Sequence, residues 1–212
     1  MSGDDRSRLA GWLARLGGPG YKGCKDRDLA VAEMRAEGAS RLLPYLIPML
    51  TDDDPEARCQ ACEAILWVDS QHGTEWVLPL LSDPHGGVRC AACYCLLKLG
   101  DERAVAPLTA VLKSDEAPTV RGWAAMALGR IGGPAVIPAL LAAMASDHEV
   151  DELGYTPSDS AAIILDDMLD SEETRTMGPE ITFQWTEVPL NRDRIRRQAE
   201  QRYQQWLEAH AS

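Results

Sequence analysis

The sequence predicts an all-α fold: an α-α superhelix of about four to five stacked helical hairpins, with a capping helix at each end, forming a single domain over residues 1–212. Three observations carry this expectation. Arg27, Arg58, Arg89 and Arg121 recur 31, 31 and 32 residues apart, and a fixed period of this size marks a stacked repeat architecture. Three residues after each arginine stands an alanine, Ala30, Ala61, Ala92 and Ala124, where a small side chain lets two helices approach closely. Each of these runs is followed by a second one rich in Leu and Val, while a single Phe and little alternation leave almost no strand signal.

The elements follow in order. Residues 4–16 form an amphipathic helix with Leu9, Trp12, Leu13 and Leu16 on one face. The break Gly17-Gly18-Pro19-Gly20 ends it, so residues 1–20 suit the terminal cap that a solenoid needs. The repeats span residues 25–170. Their best specimen is Asp83–Asp115: Val88, Ala91, Ala92, Cys95, Leu96 and Leu99 line its first helix, Gly100 ends that helix, and Asp101 can cap the next. Among the second helices Pro44, Pro107 and Pro138 fall early, where a missing N–H costs least. Pro48 and Pro79 sit deeper and should kink or shorten theirs. The turns Asp52-Asp53-Asp54-Pro55, Ser82-Asp83-Pro84 and Ser114-Asp115 read as N-caps.

The fifth copy departs from the rest. Its repeat positions are held by Ala161, Ala162 and Leu165, Ser158 replaces the arginine, and about five residues are inserted within 148–157. Between Ala143 and Glu180 stand eleven acids and one arginine. Residues 171–190 read as an irregular loop with a short β-like run at 181–185. A last helix over 191–210 follows, capped by Asn191, with the apolar stripe Ile195, Ala199, Tyr203, Trp206 and Leu207. Its arginines make it the one locally basic segment, suited to capping the C-terminal end and to pairing with the acids at 166–173.

The recurring pattern D-P-x-x-x-V-R-x-x-A-A-x-x-L, then L-G-D, then A-V-x-x-L, resembles the HEAT repeat, especially the short bacterial form shared with bilin-lyase-like proteins. That resemblance implies a structural ladder, in which an aspartate of the inter-repeat turn and an arginine six residues later link neighbouring repeats. Asp52/Arg58, Asp83/Arg89 and Asp115/Arg121 match those positions; Arg27 has Tyr21 where the aspartate would stand.

Charge bounds the partners. The formal net charge is −12, which repels nucleic-acid phosphates and anionic membranes and suits a basic protein partner. Few arginines, Arg41 and Arg103, stand on the second helices, against a nucleic-acid surface. No apolar run approaches the roughly 20 residues of a membrane helix. The acidic N-terminus lacks the apolar core of a signal peptide, and six cysteines spread through helical patterns read as reduced thiols, so a cytoplasmic location is expected.

The chemistry-bearing candidates are few. Cys59-x2-Cys62 and Cys90-x2-Cys93 have the spacing of zinc ligands, but both pairs fall inside predicted helices at equivalent repeat positions. Cys62, Cys93 and Cys95 occupy slots that hold Val or Ala in other copies and read as core, while Cys59 and Cys90 take a more exposed slot. His148-Glu149 resembles one pair from a di-iron HEAT-repeat hydroxylase, whose site needs several such pairs. No nucleophile–histidine set, P-loop or dinucleotide fingerprint is present. The reading is therefore a non-catalytic interaction scaffold with no cofactor and no metal, binding a basic protein through the concave face and the acidic insertion. Its candidate contacts are Tyr45, Trp76, Glu149, Asp151, Glu152, Tyr155, Asp166 and Asp167. The alternatives are a bilin-lyase-like tetrapyrrole-binding enzyme and an immunity protein for a basic toxin.

Overall fold

A computed structural model of the chain describes residues 3–16, 25–150, 156–170 and 192–211. The described residues are all-α, as expected, and fall into two compact units, residues 1–107 and 108–212.

The first unit begins with α1 (Gly3–Leu16), whose Leu9, Trp12, Leu13 and Leu16 are all buried against the helices α2 (Lys25–Glu37) and α4 (Pro55–Val68). The Trp12 indole donates to Glu33 at 2.6 Å, and Arg15 reaches the same carboxylate at 2.7 Å. Arg8 pairs with Glu37, and Arg41 joins Asp5 and Glu37. These ion pairs are largely exposed and add little stability, so the buried apolar face holds the cap in place.

The hairpins follow the predicted order. Helix α2 pairs with α3 (Ala39–Met49), and α4 with α5 (Gly73–Val77), which a 3-10 turn over Leu78–Ser82 continues. Helix α6 (Gly86–Leu99) ends at Gly100, whose φ of 70° places it in the left-handed region that only glycine enters cheaply. Asp101 then caps the next turn by accepting from the Arg103 amide at 2.9 Å. Ala30, Ala61 and Ala92 are completely buried, as the close approach of neighbouring first helices requires.

Helix α7 (Val105–Ser114) leads into the second unit, where α10 (Pro157–Asp170) packs on both α8 (Pro118–Ile131) and α9 (Ile137–Ser146). Helix α11 (Arg192–Ala209) lies on α9 and α10. Gly129 marks the α8–α10 crossing: a Cβ there would meet Ile164 Cγ2 at 2.0 Å.

Three expectations need correction. Asp54 caps α4, accepting from the Glu56 amide, but His85 and Ala117 hold the N-cap positions of α6 and α8 with no side-chain cap; Asp83 and Asp115 stand two residues upstream and do different work. Pro44 lies inside α3 with Pro48, and not in its first turn; α3 then ends in 3-10-type bonds from the Leu50, Thr51 and Asp52 amides. The apolar stripe of α11 is buried only in its first half, at Ile195 and Ala199, while Leu207 is 38% exposed. The expected breaks and caps at residues 17–20 and 191, and the irregular segment 171–190, lie outside the described residues.

Candidate interaction surface

The inter-repeat turns are built around the paired arginines and aspartates. Each aspartate's Oδ1 accepts from the amide two residues on: Asp52 from Asp54 at 2.9 Å, Asp83 from His85 at 2.8 Å, Asp115 from Ala117 at 2.9 Å. Its backbone carbonyl accepts from the arginine six residues later, at 2.7 Å for Arg58, 2.9 Å for Arg89 and 2.7 Å for Arg121. The arginine thereby closes its own turn, and its remaining donors reach forward. Arg58 Nε and Nη2 meet both Asp83 carboxylate oxygens at 2.8 Å. Arg121 Nε and Nη2 likewise meet Asp147 at 2.6 and 2.8 Å. Such a bidentate fork is charge-assisted and directional. The six matched residues therefore do not pair within each motif by carboxylate and guanidinium. The side-chain pairing seen in Arg58–Asp83 and Arg121–Asp147 joins one repeat's arginine to the next repeat's aspartate.

The electrostatics follow the geometry. Burial pushes the Asp83 carboxyl up, but the Arg58 hydrogen bonds and the His85 amide outweigh it and hold the group below the ordinary carboxylate range. Arg121 is pushed further above its ordinary value, mainly by Asp147, with Glu149 adding to it. Asp147 is a ladder member that the residue pattern signals, since Ser146-Asp147 repeats Ser82-Asp83 and Ser114-Asp115, although the arginine that should follow is missing.

At the fifth copy Ser158 is fully buried where that arginine should stand. Its amide donates to the Asp147 carbonyl at 2.9 Å, and its Oγ donates to the Met144 carbonyl at 2.6 Å. A guanidinium still reaches the turn: Arg192, from the start of α11, donates to Ser158 Oγ and Asp159. Arg194 pairs with Asp166 at 2.6 Å.

The candidate contact residues are distributed unevenly. Tyr45 is half-buried on α3, and Trp76 on α5 is 36% exposed. Glu149 remains largely exposed although Arg121 Nη2 donates to it at 2.8 Å. Asp166 is held by Arg194, and Asp167 is exposed. Asp151, Glu152 and Tyr155 lie outside the described residues. In the second unit Asp115, Arg121, Asp147 and Glu149 line a shallow groove of about 460 Å³ together with Leu112, Ala139, Ala142 and Ala143. Other acids at the turns are exposed, Asp52, Asp53, Asp54 and Glu56 in the first unit and Glu116 and Glu149 in the second, whereas Asp83 is buried and Asp115 and Asp147 are half-buried. The ladder cations Arg58, Arg89 and Arg121 are 9%, 7% and 8% exposed.

The cysteines sit in the core pattern. Cys62, Cys93 and Cys95 are buried, and Cys59 and Cys90 half-buried. Burial, with help from Glu56, pushes the Cys59 thiol up to about 12, so it is protonated and unreactive at neutral pH. Among the described residues no three His, Cys, Asp or Glu side chains converge where a metal could sit. No helix among them is long and apolar enough to cross a membrane.

The family model for HEAT repeats matches the chain over residues 43–128 and 74–153. No curated protein matches it. A crystal structure of an engineered protein is similar at 15% identity, covering 93% of this chain and 96% of that chain with a TM-score of 0.49.

Proposed function

The chain belongs to the HEAT-repeat family, and from that membership we propose that it is a non-catalytic interaction module that binds a basic protein partner. HEAT repeats commonly serve as protein-interaction scaffolds. One observation supports the sign of the partner's charge: the ladder arginines Arg58, Arg89 and Arg121 are buried, while Asp52, Asp53, Asp54 and Glu56 at one turn and Glu116 and Glu149 near two others stay exposed, so these turns present negative surface and only the Asp83 turn does not. With a net charge of −12, such a surface steers a cationic partner towards encounter and repels acidic competitors. Trp76 and Tyr45 on the second helices supply aromatic area for contact. Glu149 extends the acidic surface, Asp167 adds to it, and Asp166 does so only when released from Arg194; Asp151, Glu152 and Tyr155 are further proposed contacts, named for their residue types alone.

The test is affinity capture from the source cells with the wild-type chain and with the triple variant Asp53→Lys, Glu56→Lys, Glu116→Lys. All three positions are exposed, so the fold should tolerate the change. Capture of a basic protein that is lost on charge reversal and weakened by salt is expected. A captured protein that is acidic, or that binds both chains equally, rules the reading out.

A further inference from the structure

Glu63 occupies the repeat position held by Ala32, Tyr94 and Met126 in the other copies. It is 4% exposed, and its Oε1 has no hydrogen-bond partner among the described residues. A buried carboxyl without a partner tolerates its neutral form far better than its charged one. The groups around it come from three helices: Arg27 of α2, Glu56 and Cys59 of α4, and Tyr94 and Cys95 of α6. Arg27 alone among them favours the carboxylate, and Glu56 opposes it.

We propose that Glu63 is a proton-operated latch of the first unit: the packing of α4 between α2 and α6 is tightest while its carboxyl holds a proton, and it loosens as the solution passes from mildly acidic to mildly alkaline. Burial pushes this carboxyl up to about 8 from 4.5, against the pull of Arg27. Between those values the native protein keeps a proton that the opened state releases. The group's contribution therefore favours folding most at low pH, declines as pH rises through this window, and levels off above about 8. The neighbours do not share the window. Burial pushes Cys59 up to about 12 and raises Cys95 and Tyr94 above their ordinary values, so these three stay protonated while Glu63 titrates.

Native-state hydrogen exchange of α2, α4 and α6, corrected for intrinsic rates, tests this between pH 5.5 and 9. Protection in the wild type should fall by roughly tenfold per pH unit up to about pH 8 and then flatten, as one linked proton requires. Glu63→Gln, which mimics the neutral acid, should remove that slope. In wild-type protein carrying 13C-labelled glutamate, one side-chain carboxyl should titrate near pH 8. This second readout decides the matter if Glu63→Gln fails to fold. A wild type whose glutamates all titrate in the ordinary range, or a folded variant with the wild-type slope, overturns the proposal.

Discussion

Arg192 donates to Ser158 Oγ, so the residue that replaces the fifth repeat's arginine is itself served by an arginine from the last helix. The same guanidinium reaches Asp159, and the next basic residue of α11, Arg194, holds Asp166. Helix α11 is thereby tied to α10 by charge at its start, while only Ile195 and Ala199 anchor it by burial. Arg192→Ala should free α11 without unfolding α8 to α10. Hydrogen exchange is the measure: the α11 amides should lose protection, and those of α8 should not.

The Arg58–Asp83 fork makes a sharper demand on stability. Both side chains are nearly covered, so removing one leaves the other desolvated and unpaired. Asp83→Ala should lower the thermal midpoint by roughly 10 °C. The double change Arg58→Met, Asp83→Leu should recover much of that loss, because no buried charge is then left unpaired.

Acid should act through the same carboxylate. Asp83 has its value depressed in the folded state, chiefly by Arg58 working against burial. Its stabilisation is therefore complete above the ordinary aspartate value, about 3.9, and is lost as pH falls through the depressed one. A thermal scan series from pH 6 to pH 2 should show a steep acid limb. The Arg58→Met, Asp83→Leu double variant should show a shallower one.

Gly129 offers a test with an informative sign. Glycine to alanine inside a helix normally gains about 1 kcal/mol. Here the new methyl would lie 2.0 Å from the branched side chain of Ile164, which cannot swing away as a flexible chain end would. Gly129→Ala should thus destabilise by about 1–3 kcal/mol, read from urea unfolding with an unchanged slope.

Cys59 should be inert to alkylation in the native state. With its thiol pushed up to about 12, the thiolate is scarce at neutral pH, and modification should run roughly a hundredfold or more slower than for a solvated cysteine. Peptide mapping after timed exposure to iodoacetamide checks this.

The repeat was legible in the residues because it is a local and periodic property. The 31- to 32-residue step, the buried alanines and the Gly100 stop are all dictated by helix geometry and by what fits between close helices. The turns were half legible. Asp83 has the right residue type for an N-cap, yet its carboxylate is claimed by an arginine 25 residues away, and His85 takes the cap position. Proline positions were read too generously: Pro44 sits inside α3, where packing overrides propensity.

The sequence by itself determined the all-α class, the 31- to 32-residue repeat spacing, and that Asp52/Arg58, Asp83/Arg89 and Asp115/Arg121 stand at the turns. Tertiary structure decided which carboxylate each guanidinium meets, that Asp147 joins the ladder, that Arg192 serves the turn of Ser158, and that Glu63 is enclosed. The physical reason is range. Helix formation and repeat spacing depend on neighbours within a few residues, whereas burial and ion pairing depend on what the fold brings together, and a glutamate among alanines and cysteines betrays its burial only once α4 has packed between α2 and α6.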